Sequence, residues 1–202
     1  MTRKFIYVYM AILVLVLSVS AVISATQPIY KTPLDNPVSN GISLPLDYRE
    51  NFIKYATVDR VDNLTRDIFI DPAVLPLIEA GVELPLGTKI VIEAFNASGS
   101  TPDGHFTQGH QEPFIHVAEK RDGWSLEDLP VSSHVGDWNF ASFTADSLRP
   151  SNENLNDCFT CHDDSASTRL DFTFSRAMID TYLRTEETQF DYCNRPDRLR
   201  CS

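Results

Sequence analysis

Cysteine is scarce and unevenly placed in this chain of 202 residues: there are four, Cys158, Cys161, Cys193 and Cys201, all in the last quarter. That placement excludes a disulfide framework distributed through the fold, so the thiols must form a local arrangement. Basic side chains are also few, with 17 Lys and Arg against 28 Asp and Glu and a formal charge of −11. Loss of Arg3 and Lys4 with an amino-terminal segment would leave −13. A surface that acidic repels phosphate backbones and anionic lipid, and no nucleic-acid partner is expected. Internal repeats and low-complexity tracts are absent. What is present, 43% hydrophobic and 22% charged residues, fits one globular domain with a core and excludes a disordered or fibrous chain.

Arg3 and Lys4 precede an apolar run from Phe5 to Leu17, which small and branched residues continue to Ala25. This is the order of a secretory signal, so residues 1–25 are expected to be removed after Ala21 or Ala25. The alternative is an uncleaved membrane anchor, since about 20 apolar residues span a bilayer. In either case the domain is expected to be periplasmic or otherwise exported. Residues 26–46, with Pro28, Pro33, Pro37 and Pro45, read as an extended leader, packed on the domain or loose beside it. The domain proper is expected over residues 47–202.

Tyr48, Phe52 and Tyr55 fall at helical spacing behind a candidate Asp47 cap and predict a first helix. Arg66 to Ile70 is a strand candidate, and Asp71-Pro72 opens a helical turn towards Gly81. Thr88 to Phe95 is the strongest strand signal. Its alternation puts Lys89, Val91, Glu93 and Phe95 on one face, with Ile90, Ile92 and Ala94 on the other. Asn96 to Glu112 reads as a polar loop, Phe114 to Glu119 as a strand, and Lys120 to Gly123 as a turn before Trp124. Asp137 to Phe143 gives a strand rich in aromatics, and an amphipathic helix follows around Leu170 to Leu183. The fold class expected is α+β: an antiparallel sheet packed with flanking helices.

Cys158-Phe-Thr-Cys161-His162 has the C-x-x-C-H form of c-type haem attachment. Two thiols three positions apart can each form a thioether to a vinyl group at one porphyrin edge, and the adjacent histidine is then held beneath the iron. The cofactor expected is one covalently attached haem c, carried on a C-terminal helix, with Cys158 and Cys161 as its tethers and His162 as the metal ligand. A thioredoxin-like redox pair would need a buried strand before the motif, and Asn152 to Asp157 is mostly polar. A zinc site completed by Cys193 and Cys201 would need a closer pair than their spacing gives. Those two thiols read either as a local disulfide in an oxidising compartment or as thiols in intermolecular or metal contacts.

A second strong iron ligand would make an electron carrier, whereas an open site gives gas binding or redox chemistry. Met178, on what reads as one helix continuing from the motif, is poorly placed to cross a porphyrin and is expected in the core. His105, His110 and His134 lie in polar stretches, leaving His116 on its strand as the candidate sixth ligand. An open or weakly ligated iron is the reading preferred.

Several segments together resemble the cytochrome P-460 and cytochrome c′-beta family over roughly Asp47 to Leu183. They are Arg-x-Ile-Phe at Arg66 to Phe69, Pro-x-Gly-Thr leading into the strand from Pro85 to Ile92, and Lys-x-x-x-Trp at Lys120 to Trp124. Asp-Trp-x-Phe-Ala-x-Phe at Asp137 to Phe143, the haem motif itself, and Asp171 with Phe172 to Phe174 complete the set. The resemblance implies a homodimer of antiparallel-sheet subunits, each with one pentacoordinate c-type haem. P-460 members oxidise hydroxylamine with a haem cross-linked to a lysine, and c′-beta members bind nitric oxide or carbon monoxide under a phenylalanine-capped apolar pocket. Here Ile92 stands where the lysine belongs, and Lys89, three positions away, should face the other side of the sheet. Arg66 matches the family's distal arginine, and Glu119 or Glu93 is the candidate for a carboxylate acting as general base. Phe69, Phe95 and Phe114 are candidates for the pocket or the core. The function implied is an exported cytochrome whose open site binds or redox-converts small nitrogen species, nitric oxide or hydroxylamine, in exchange with a redox partner protein. The alternative is a six-coordinate electron-transfer cytochrome using His116.

Overall fold

A computed structural model describes residues 38–124, 135–166, 173 and 175–193. The expected signal or anchor, most of the leader, His134, Leu170 to Phe172, Phe174 and Cys201 lie outside the described residues, as do the side chains of Cys161 and Cys193. The chain divides into one unit at Met1–Asp35 and another at Asn36–Ser202, and the elements described belong to the second.

In chain order these are β1 (Val38–Ser39), β2 (Ile42–Ser43), α1 (Tyr48–Asn51), β3 (Ile53–Arg60), β4 (Leu64–Ile70) and a 3-10 helix at Pro72–Leu77. There follow β5 (Lys89–Ser100), β6 (Phe106–Lys120), β7 (Trp138–Thr144), α2 (Asn156–Ala166), α3 (Arg176–Thr185) and β8 (Gln189–Cys193). Strands β3 to β7 form an antiparallel meander, and β8 returns to pair in parallel with β3, giving a six-stranded mixed sheet in the order β7-β6-β5-β4-β3-β8. With its few short helices the domain is α+β.

Both faces of the sheet are covered, which is why neighbouring residues on one strand are buried alike. On one face Val58, Ile68, Ile90, Ala118, Trp138 and Phe140 pack with Leu155, Phe159 and Ile179 from the helical side. On the other, Phe69, Val91, Ile115, Val117, Ala141 and Phe143 pack beneath Ile42, Leu44 and Tyr48. The alternation expected of β5 holds: Ile90 belongs to the first cluster and Val91 to the second.

The folded unit therefore reaches back before Asp47. Val38–Ser39 and Ile42–Ser43 make a small hairpin, and Ile42 and Leu44 are fully buried, so this part of the leader is packed. The first helix is only one turn long. Tyr48 and Phe52 keep their helical spacing against the second cluster, but Tyr55 stands in β3, where Tyr, Ala, Thr and Val favour a pleated strand. A register shift between Lys54 and Ala56 puts Tyr55 on the same side as Ala56, and its hydroxyl meets Ser175 Oγ at 2.6 Å. Burial pushes the Tyr55 hydroxyl pKa far up, so it stays protonated.

Asn96 to Glu112 is not a loop. β5 and β6 continue through it as a long hairpin interrupted by three register shifts, and only the turn around Gly104, at φ +93°, is free of pairing. Bulges break the strict two-residue alternation that a strand reading relies on, so the polar composition dominated the sequence signal. The helix past the motif is not continuous either: α2 and α3 are separate, with buried Thr173 and Ser175 between them.

Candidate functional site

α2 is anchored by Leu155, just before its start, and by Phe159, whose ring stands 5.3 Å from Phe140 at 70°. That edge-to-face contact fixes which side of the helix meets the sheet. Cys158 and His162, at i and i+4, share a helix face. Both line a cavity between α2 and the sheet, and the His162 ring lies 4.5 Å from Phe140. Cys161 occupies the i+3 position of the same helix.

The cavity holds about 1200 Å³ of space, its open mouth included. Its sheet wall is made of Val58, Ile68, Ile90, Ile92, Trp138 and Phe140, its helical wall of Leu155, Cys158, His162 and Met178. Polar groups reach it from few places: Arg60, Arg66, His116, Thr173 and Ser175. A lining this apolar with a few convergent polar groups is the character of a cofactor or small-ligand site.

Arg60 binds Asp62 through Nε at 3.0 Å. Partial burial of Asp62 opposes its ionisation, but hydrogen bonds from Arg60 and the charges of Arg60 and Arg66 outweigh it and leave the carboxyl below its usual range. His116 Nε2 lies 2.7 Å from Glu153 Oε2, and Ser142 Oγ donates to the same oxygen at 2.6 Å. The hydrogen bond from His116 is the main reason that Glu153 titrates below an ordinary carboxyl group, with Ser142 and the charge of Arg66 acting in the same direction.

The expected residues sort by face. Arg66 lines the cavity, as do Cys158 and His162, and Ile92 does so where the resemblance would have a lysine. Lys89 is on the far face, held by Ser43 O at 3.2 Å and by Glu119 at 3.2 Å. The two carboxylates proposed as general base do not reach the cavity. Glu119 shares that far face with Lys89, and Glu93 is buried there under the Tyr48 hydroxyl, Arg49 and Gln111. Strand alternation accounts for this: on β6 His116 and Ala118 line the cavity, Val117 borders it while packing in the second core, and Glu119 pairs with Lys89 on the far face. Phe69 fills the second core, edge-on to Tyr48 at 5.4 Å, and neither Phe95 nor Phe114 lines the cavity. Met178 does line it while packing on the first core. His105 is not simply solvated; it stands 3.5 Å from buried Asp59.

Sequence reasoning missed Trp138, Phe140, Ser142 and Glu153. Period-two alternation along β7 could have placed the first three on one face. For Glu153 there was no local signal, because an acid in a polar stretch reads as solvated.

A haem needs a wide apolar slot, an axial nitrogen and cations for its carboxylates. The cavity offers isoleucines and aromatics on one wall, His162 on the other and two arginines. Thr173 Oγ1 is a buried hydroxyl on that wall with no hydrogen-bond partner among the described residues. The residues present fit the group, with Cys158 and His162 placed to hold it.

Residues 45–175 match the family described as Cytochrome P460. A comparison with curated proteins finds no match. The matched region contains every cavity-lining residue except Met178. Since it covers well over half of the chain, the protein belongs to the cytochrome P460 family, and that membership implies a haem cofactor.

Proposed function

We propose that this protein is an exported monohaem c-type cytochrome that binds or redox-converts small nitrogen species, nitric oxide or hydroxylamine, at an open site. In this reading Cys158 and Cys161 tether the haem covalently and His162 holds the iron from the α2 side. The bound group supplies a coordination position at which a small nitrogen ligand can bind and exchange electrons. The chain supplies the rest. Ile68, Ile90 and Ile92 keep water from the sheet side, and Arg60 and Arg66 bring positive charge to a mostly apolar wall. Residues 1–25 direct export, a redox partner protein takes or gives electrons, and the family resemblance supports a homodimer.

The observation that carries the reading is the shared cavity: the motif's Cys158 and His162 face a mostly apolar sheet wall to which, among the described residues, no lysine contributes. The six-coordinate alternative needs His116 as an iron ligand through Nδ1, since its Nε2 is engaged by Glu153. Optical spectra of the purified protein, ferric and ferrous, with and without nitric oxide and carbon monoxide, test this. Uptake of both gases by the ferrous form, with pigment that stays on the protein in acidified acetone, is the expected result. Failure to take up carbon monoxide would favour the electron carrier, and release of pigment into the solvent would refute covalent attachment.

A further inference from the structure

The pair formed by His116 and Glu153 is not needed to hold a haem, yet it is built into the cavity wall. Glu153 comes from the stretch before α2, His116 from β6 and Ser142 from β7, where Ser142 is the direct register partner of His116. Three separate segments thus converge on one carboxylate oxygen. With Ser142 donating to Glu153 and the carboxylate ionised at neutral pH, the contact requires a hydrogen on His116 Nε2. The tautomer is therefore fixed. In the neutral ring Nδ1 is then the acceptor, and it has no hydrogen-bond partner among the described residues. Other charged or titratable groups on the cavity wall are Arg60 and Arg66 from the sheet and Cys158 and His162 from α2.

We propose that His116 is the proton acceptor of this cavity for small protic ligands, with Glu153 as its positioning residue. The inference deepens the proposed function and rests on it: it makes the ligand class one that must shed a proton on binding, such as hydroxylamine, in addition to aprotic gases. As such a ligand HX enters, its H–X bond breaks, the proton passes to Nδ1, and the anion stays in the cavity. The resulting imidazolium is balanced by the Glu153 carboxylate at Nε2, and no electron is transferred. Glu153 contributes by holding the ring and its tautomer, as second partners of reactive histidines do.

Hydrogen cyanide, protonated at neutral pH, is a suitable probe with the ferric holoprotein, and carbon monoxide with the ferrous form is the aprotic control. His116→Phe is expected to slow cyanide association by about 10²-fold, the low end for general-base catalysis, while carbon monoxide association stays within about threefold. His116→Gln keeps the volume and a donor towards Glu153, so it gives the same result should the Phe variant fold poorly. Glu153→Ala should lose about as much as either, and Glu153→Gln, whose amide oxygen still accepts from Nε2, should restore most of the rate. Equal cyanide rates in wild type and both His116 variants overturn the proposal, as does an equal fall for carbon monoxide, which would mark a change of pocket shape alone. Wild type that binds neither probe overturns the open-site reading itself, a result distinct from either.

Discussion

Phe140 and Phe143 stand on one strand but on opposite faces, so truncating each separates what the cavity needs from what the sheet needs. Phe143 is fully buried in the core beneath the amino-terminal hairpin. Phe140 is 8% exposed, lines the cavity, and touches both Phe159 and His162. Phe→Ala in a packed core costs about 3–5 kcal/mol. For Phe143→Ala the upper part of that range applies, about 4 kcal/mol, because no open space borders the ring. For Phe140→Ala about 3 kcal/mol is expected: one side of the ring already faces the cavity, and about 1 kcal/mol of the total is its ring contacts. In a domain on the order of 150 residues these losses lower Tm by roughly 8–16 °C and 6–12 °C. Denaturant melts of the holoprotein measure the stabilities and the visible spectrum reports the haem environment. Phe140→Ala should shift or broaden the main haem absorption band because the His162 ring loses its support, whereas Phe143→Ala should leave the spectrum intact despite its larger cost. The reasoning fails if Phe143→Ala disturbs the spectrum as much, or if Phe140→Ala is the more destabilising change.

Other consequences follow from the same contacts. Because the folded-state pKa of Glu153 is depressed, the stability it contributes is present above the ordinary carboxyl range and lost as pH falls through the lower folded value. The stability gap between wild type and Glu153→Gln should thus close between about pH 5 and pH 3 in acid titrations followed by circular dichroism, and a constant gap would contradict the assignment. Arg49→Met removes a half-exposed cation from the carboxylate of Glu93, whose side chain is only 4% exposed, leaving Tyr48 and Gln111 to hold a buried charge. A loss of about 2 kcal/mol is expected, below the full cost of breaking a buried pair because Arg49 reaches solvent, and a loss under about 0.5 kcal/mol in urea melts would count against it. At Gly109 an added Cβ would lie 2.9 Å from Asn96 O across the β5–β6 hairpin. Gly109→Ala should therefore cost about 1–3 kcal/mol and speed amide exchange in the hairpin arms, and unchanged exchange would refute that reading.

Much of the sheet was legible because its strands carry strong local patterns. β4, the start of β5 and β7 are short runs of branched and aromatic residues bounded by turns, and alternation along β5 already separated Ile92 from Lys89. The parts that were not legible depend on distant pairing. Gln189–Cys193 becomes a strand by docking in parallel on β3, from Ala56↔Gln189 to Arg60↔Cys193, and its brief alternation of Phe190 and Tyr192 with polar residues is too short to announce that distant pairing. The outer hairpin of β5 and β6 was hidden by its register shifts, and the helical spacing of Tyr48, Phe52 and Tyr55 was a coincidence across a helix end and a bulge.

The site divides along the same line. Cys158 and His162 were visible because the chemistry of tethering one porphyrin dictates a fixed local spacing. The groups opposite them were not, because nothing local links β6, β7 and the stretch before α2. Glu119, one position along from Ala118, was with Glu93 the candidate for the carboxylate base that the family resemblance implies. A strand allows only every second residue to face the cavity, and β6 presents His116 there, two positions before Ala118. The acid that the sheet denies to the cavity on β6 returns from Glu153, beyond β7, as the partner of that histidine. A carboxylate one side chain removed from the ligand space, acting through an imidazole, is a different device from a carboxylate that touches the ligand. The first tolerates Gln at the acid's position and the second does not, so the Glu153→Gln rate separates them without any knowledge of the physiological substrate.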